Sequence, residues 1–518
     1  MGWIGVVEAV AILLLALLLG VVTDYCVLFF SAFRDELDQD PDHVVASRRA
    51  LRSTAPVVAV AGLTVAGGTI ALLAAPFAIF RGLGPALALT VVVGLALCLT
   101  LAPAVMTIAG WRLFTVLPVR GSTRKGPLVE IVPQTRSRLT RFVALLTRRG
   151  PALVATAAVV VVLGLASVPL ASARLDLSFT AGLPSDDAVA EGAQLLSDAG
   201  LRGISAPTEV LLEQDGVVDE PAALLRLETA IAAQPGVARV LGPSAAPDDQ
   251  PRGLVLAESG NAARFVVIYD SDPLAAQAID DVRQLQQQLP ELARDAGLPE
   301  ARVALTGQTL IASEVAELTR ESLEITLLVA MAVELAILVL YLRALLAPLA
   351  LLACSVLSVA AALGLTTLLF QDVLGQQGLT FYAPFASAVL LIALGSDYNV
   401  FSVGSIWDEA GRRPLAEAMV EAVPRTSHAI TTAGAILAAT FALVAIIPLS
   451  TFRQIAFAMA VGLLIDTLVI RPVLTPAVLT LLGRAGTWPN RRIARAADAA
   501  RDDAPSDPLS DDREVARG

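Results

Sequence analysis

The stretch Ala393-Leu394-Gly395-Ser396-Asp397-Tyr398-Asn399-Val400-Phe401 decides how this chain is read, because it sets an ionisable Asp397 deep inside an apolar run beginning near Phe381. At the centre of a membrane helix an Asp costs about 2.5–3.5 kcal/mol on insertion scales, so it faces a bundle interior, finds a partner, or sheds its charge. A second copy lies near the N-terminus, Thr23-Asp24-Tyr25-Cys26-Val27-Leu28-Phe29. In both copies an acidic pair follows at the same distance: Asp35 and Glu36 lie 11 and 12 residues after Asp24, and Asp408 and Glu409 lie 11 and 12 after Asp397. The chain therefore reads as two related membrane halves, each carrying one buried Asp-Tyr.

Composition agrees. With 518 residues, 56% of them apolar, and a mean hydropathy of +0.70, the chain is too apolar for an ordinary soluble protein and belongs in a membrane. Cys26, Cys98 and Cys354 all fall inside apolar spans, which implies no disulfide framework. With only His43 and His428, a His-rich metal site is not expected. No nucleophile–base set, phosphate loop or metal-spaced cluster points to an enzyme. Neither a cofactor nor a nucleic-acid partner is expected.

Taken in order, residues 1–110 hold three spans, near Trp3–Phe33, Ala55–Ala75 and Gly84–Ala109; the first has no charged n-region or cleavage site and reads as a membrane helix, not a signal peptide. Residues 111–150 form a linker with nine Arg or Lys against the single acid Glu130, which the positive-inside rule places in the cytoplasm. Its end, Ser137 to Arg149, spaces Leu139, Phe142, Val143 and Leu146 as an amphipathic helix suited to an anionic leaflet. A further span covers 151–170. Residues 171–320 then carry 23 acids and ten arginines and no cysteine. Alternating and helical patterns there read as strand, helix, strand, strand, helix, strand, the split βαβ order of a ferredoxin-like α+β domain on the far side of the membrane. A helix across Asp186–Ala199 and an extended stretch at Gly253–Ala257 are additional pieces. From Gln308 a helical pattern continues without a breaker into the membrane, so this unit is coupled to the bundle by a continuous helix. Residues 321–483 hold five spans, which makes about nine in all, and 484–518 read as a disordered cytoplasmic tail. Threading the spans from the basic linker puts Met1 outside.

The halves align beyond the Asp-Tyr signature. At offsets of 372 or 373, Ala61-Gly62 falls on Ala433-Gly434, Pro76 on Pro448, Pro103-Ala104-Val105 on Pro476-Ala477-Val478 and Gly110 on Gly483. Spans one to three thus duplicate the last three.

These residues carry a family resemblance. Gly395 to Phe401, the Ala433-Gly434-Ala435-Ile436-Leu437-Ala438-Ala439-Thr440-Phe441 run, Gly462 to Arg471 and the closing Trp488-Pro489 together resemble the MMPL branch of the RND (resistance-nodulation-division) superfamily. The resemblance implies an α-helical polytopic membrane protein of RND type with one ferredoxin-like porter domain. It further implies that the nine spans match helices four to twelve of a twelve-helix design, with three helices and a first porter domain absent. The implied function is proton-motive-force-driven export of lipids or other hydrophobic compounds across a bacterial cytoplasmic (inner) membrane, with membrane lipids and the hydrophobic substrate as partners. Alternatives stay open: a non-transporting remnant, a scaffold binding lipid or a partner through residues 171–320, or a half-transporter completed by a separate chain; a homo-oligomer is also open.

The resemblance makes Asp24, Tyr25, Asp397 and Tyr398 the proton relay, whereas the residues alone show only a duplicated Asp-Tyr that could equally staple helices. Three further intramembrane charges stand apart. Asp466 and Arg471, five residues and about 140° apart on an α-helix, have Val93 and Cys98 as counterparts in the first half, so the pair is not duplicated and suggests bundle or interface contacts. Glu334 lines the substrate path, faces the bundle or reaches the interface. Glu8 is expected to reach water.

Overall fold

The structure, a computed structural model, describes residues 2–39, 42–110, 132–178, 188–199, 202–245, 253 and 255–490. Three helices come first: α1 (Gly2–Gln39), α2 (His43–Ile70) and α3 (Ala78–Ala109). After α4 (Val132–Leu146) and α5 (Arg149–Ser167) the chain enters a polar unit, and it returns to the bundle through the helices of residues 308–482. Among the described residues, nine helical stretches are long and apolar enough to cross a membrane. Residues 111–131 of the basic linker, 491–518 of the tail and the Glu8 side chain lie outside the described residues.

The polar unit is built on β2 (Thr208–Glu213), α7 (Pro221–Ala232), β3 (Val237–Leu241), β4 (Ala262–Tyr269), α8 (Ala276–Asp295) and β5 (Arg302–Thr306). The four strands form one sheet in the order β3-β4-β2-β5 with every neighbouring pair antiparallel. Strand alternation buries Val210, Leu212, Phe265 and Val267 against Leu224, Leu227 and Ile231 of α7 and Val282, Leu285 and Leu289 of α8. A further helix, α6 (Ala188–Asp198), precedes the sheet, and Leu256 bridges to Ala263 at its edge.

Two connections join this unit to the bundle. The first is α9 (Gln308–Leu342), an unbroken helix of 35 residues, or about 52 Å at roughly 1.5 Å per residue, against a hydrocarbon core of about 30 Å. The surplus carries the helix out to the sheet. The second is a two-stranded parallel ladder in which β1 (Leu175–Asp176) pairs with β6 (Leu379–Thr380), the segment entering α11 (Tyr382–Ala410). Helix α11 is mostly apolar around its circumference and is enclosed by the bundle, its polar residues Asp397, Asn399 and Ser402 included.

Around it pack α10 (Leu346–Thr367), α12 (Leu415–Leu443) and α13 (Ser450–Ile465), and small residues let the backbones approach. A Cβ on Gly364 would stand 2.2 Å from the Ala166 carbonyl oxygen and 2.8 Å from the Ser167 Cα. Backbone cannot yield there as a side-chain tip can. Gly364→Ala is expected to destabilise the protein by about 1–3 kcal/mol, read as a lowered thermal midpoint in detergent. An unchanged midpoint means α5 and α10 are free to separate.

Two expectations are corrected. The α4 helix does not offer its whole apolar face to lipid: Val143 and Leu146 are buried against protein, Val143 beside Trp407, Met419 and Ala422, while Phe142 and Leu145 stay exposed. Nor is the tail free from residue 484. Gly483–Thr487 forms a 3-10 turn, the Leu345 amide donates to the Trp488 carbonyl at 2.9 Å, and the Asn490 side chain donates to the Leu342 carbonyl at 3.3 Å. These bonds cap the turn at Arg343, whose φ of +51° ends α9.

The duplication is also conformational. Ala71–Ala74 and Val444–Ile446 are both 3-10 turns, each followed by an extended residue, Ala75 or Ile447, that precedes Pro76 or Pro448. Gly110 and Gly483 close their helices at φ +49° and +51°. Between Pro448 and Pro476 the offset grows from 372 to 373, and there α13 passes through a π-helical stretch, Asp466–Leu474, into α14 (Thr475–Leu482). A π turn accommodates one extra residue in a helix.

Candidate functional site

Asp24 and Tyr25 on α1 and Asp397 and Tyr398 on α11 are all buried in the bundle core. The Tyr398 hydroxyl donates to Asp24 Oδ2, so one half's tyrosine holds the other half's aspartate. Among the described residues, Asp24 Oδ1, Asp397 Oδ1 and the Tyr25 hydroxyl find no hydrogen-bond partner. Asn399 anchors the motif to α10 by donating to Ser355 Oγ at 3.3 Å.

The structure brings Asp466 and Arg471 into this cluster. In an α-helix they diverge, but the π-helical stretch bonds i to i+5 and sets residues five apart about one turn above each other. Arg471 Nη2 accordingly bonds Asp466 Oδ2 and donates to the Gly395 carbonyl at 3.2 Å. Its guanidinium carbon lies 4.2 Å from the Tyr398 ring centroid, a cation–π contact. A continuous row, Asp466, Arg471, Tyr398, Asp24, therefore crosses three helices.

Symmetry explains what sequence missed. Cys98 Sγ lies 3.5 Å from the Val22 carbonyl oxygen, and an offset of 373 maps Cys98 onto Arg471 and Val22 onto Gly395. The same contact exists in both halves with a thiol in one and a guanidinium in the other. Ahead of the inserted residue the offset is 372: a Cβ on Gly62 would meet Leu95, and one on Gly434 would meet Thr467. Asp466 thus corresponds to Gly94, not to Val93. The backbones match and the positive charge stands on one side.

Glu334 on α9 is 2% exposed, and neither carboxyl oxygen has a partner among the described residues. It faces the bundle and does not reach the interface.

The sequence pattern of the MMPL family matches residues 1–154 and 181–501. The chain belongs to the MMPL family. It is similar to a membrane protein of Streptomyces coelicolor, 33% identical over 493 residues covering 95% of this chain and 56% of that protein. It is also similar to the apo-petrobactin exporter of Bacillus anthracis, 28% identical over 516 residues covering 97% and 66%. The chain thus spans between about half and two thirds of the length of these relatives. In fold it resembles the crystal structure of SecDF in its super-membrane-facing form, with a TM-score of 0.51 and 18% identity over 95% of this chain and 56% of that one. This MMPL chain is a membrane-embedded, multi-pass protein of MMPL/RND-type fold.

Away from the Asp-Tyr cluster, a cleft of about 870 Å³ opens where the sheet unit meets the bundle, between β1, α6, the 375–382 segment and the start of α13. Asp176, Ser178 and Asp272 line it beside Leu196, Phe381 and Phe452. The Ser178 amide donates to Asp176 Oδ1 at 2.6 Å and its hydroxyl to Asp272 Oδ2 at 2.7 Å. Burial pushes the Asp176 carboxyl up to about 7, against the pull of the Ser178 amide and with a further push from Asp272. The folded state then holds this proton more tightly than the unfolded chain. The contribution is therefore fully present below the ordinary carboxylate value and is lost as pH rises toward about 7. Asp176→Asn is expected to flatten this slope and raise the thermal midpoint at about pH 8 by a few degrees. Parallel pH profiles of parent and variant would remove Asp176 as the cause.

Proposed function

We propose that this MMPL chain takes part in proton-driven export of a lipid or another hydrophobic compound across the bacterial cytoplasmic membrane, with the sheet unit as a ferredoxin-like, extracytoplasmic porter domain. The observation carrying this reading is the hydrogen bond from Tyr398 to Asp24, which ties the two Asp-Tyr motifs into one buried site. Among the described residues, Asp24, Asp397 and Asp466 stand there against the one guanidinium of Arg471. Full ionisation would leave uncompensated charge in a space closed to water, at several kcal/mol per ion. A site of this make-up takes up and gives back protons, and each exchange changes which helices attract one another.

The arginine sits over Tyr398, whose hydroxyl donates to Asp24, and that seat makes it the fixed positive charge against which proton occupancy is read. The cleft at the sheet unit, apolar on one side and carboxyl- and amide-lined on the other, suits an amphipathic cargo. That the Bacillus anthracis relative is an exporter supports the transport reading. The test uses purified protein in vesicles loaded with a fluorescent phospholipid analogue. An imposed pH gradient is expected to drive movement of the probe, and a protonophore to stop it. Movement that ignores the protonophore would overturn the reading.

A further inference from the structure

We propose that Glu334 is an additional protonatable carboxyl of the membrane site, joined to the Asp-Tyr cluster through Asp466 and Arg471 and carried on the helix that runs out to the sheet unit. This rests on the proton-driven reading above.

The argument begins with what Glu334 lacks. A polar residue that merely staples two helices must make hydrogen bonds, because those bonds offset its desolvation. Glu334 makes none among the described residues, although both oxygens are shut off from solvent. It occupies the buried stripe Ala330, Glu334, Leu338 of α9, where an apolar residue would pack without penalty, while Leu328 and Leu340 face outward. An isolated buried carboxyl is expensive to keep, and its chemistry, not its packing, distinguishes the position.

The surroundings say what it answers to. Helix α9 packs on α2, α10 and α11. The membrane part of α2, residues 53–70, and all of α10 contain no charged side chain, and Cys354 is the titratable group of α10. Helix α11 contributes Asp397 and Tyr398, and beyond it stand Asp466 and Arg471. Glu334 lies level with that group: a Cβ on Gly67 would meet Val333, one on Gly68 would meet Ala393, and one on Gly395 would stand 3.8 Å from Asp466 Oδ2, whose carboxylate is already bonded to Arg471. A proton leaving Glu334 places a second negative charge near the Asp466–Arg471 pair, which in turn holds Tyr398. Charge on α9 and charge on the relay are thereby interdependent.

The mechanical link is the helix itself. Glu334 lies 26 residues from Gln308 in one unbroken element, about 39 Å along its axis. Charge-dependent movement of α9 is transmitted to the sheet unit without crossing a loop.

The test needs no substrate. Infrared pH-difference spectra of the purified protein in lipid vesicles report protonated carboxyls through their C=O stretch. Glu334→Gln is expected to remove one titrating band, and Asp466→Asn to shift the pH at which that band disappears. A Glu334→Gln spectrum superimposable on the parent, or a band unmoved by Asp466→Asn, overturns the inference. Should Glu334→Gln fail to accumulate, isotope-labelled glutamate in the parent keeps the question open to decision: a titrating band must shift on labelling, and its failure to shift counts against Glu334. Failure of the relay reading is distinct, since it shows as unimpaired probe movement in Asp397→Asn, whatever the Glu334 spectrum does.

Discussion

Asp397→Asn is expected to abolish gradient-driven probe movement, bringing it to the level of protein-free vesicles, while the protein still folds and inserts. The amide has nearly the shape of the carboxyl and cannot exchange a proton in this range. Little structure is at stake, because Asp397 Oδ1 has no hydrogen-bond partner to lose among the described residues. Asp24→Asn is expected to do the same, with its amide oxygen still accepting from the Tyr398 hydroxyl. The pair acts as a unit, so the double variant should be no worse than either single one, as groups sharing one task are strongly non-additive. Tyr398→Phe keeps the ring beneath Arg471 but removes the hydroxyl, and should slow movement without abolishing it. The measurement is initial rate against imposed pH gradient at matched protein density. Robust movement by Asp397→Asn would sink the relay assignment, and additive losses in the double variant would show that two independent sites are at work.

The duplicated Asp-Tyr was legible because a buried acid in an apolar run is conspicuous and because the same side chains recur at the same spacing. Nine spans were legible for a similar reason, since hydropathy registers length and polarity, the two properties a membrane selects. Alternation exposed the strands: β2 is buried at Val210 and Leu212 and open at Leu211. What stayed hidden depended on geometry that periodicity assumes away. Asp466 and Arg471 were set about 140° apart because an α-helical angle was applied across a π-helical stretch. A sign of that stretch was present in the change of offset from 372 to 373, which marks one inserted residue in the last span. The docking of residues 484–490 was lost in a polar composition, though Trp488 and Asn490 bond the backbone at Leu345 and Leu342. The α4 pattern fitted a membrane surface and a protein groove equally, and only the long-range partners of Val143 decide between them.

Arg471→Ala is expected to be the most destabilising single change in the cluster, by about 3–5 kcal/mol, because it leaves Asp466 buried with no counter-charge. It also uncovers the Tyr398 ring and frees the Gly395 carbonyl. The loss should appear as a large drop in thermal midpoint in detergent or nanodiscs. Asp466→Leu combined with Arg471→Met provides the contrast. Removing both charges at similar volume eliminates their desolvation cost, and buried pairs replaced in this way are often neutral or more stable by about 1–4 kcal/mol. Stability should therefore return in the double variant. Proton-driven movement should not, because the positive charge over Tyr398, the partner of Asp24, is gone in both variants. Recovery of stability and transport together would make the pair a structural brace. Recovery of stability alone would separate the two roles: the ion pair holds Arg471 in place, and Arg471 supplies the charge that the relay works against.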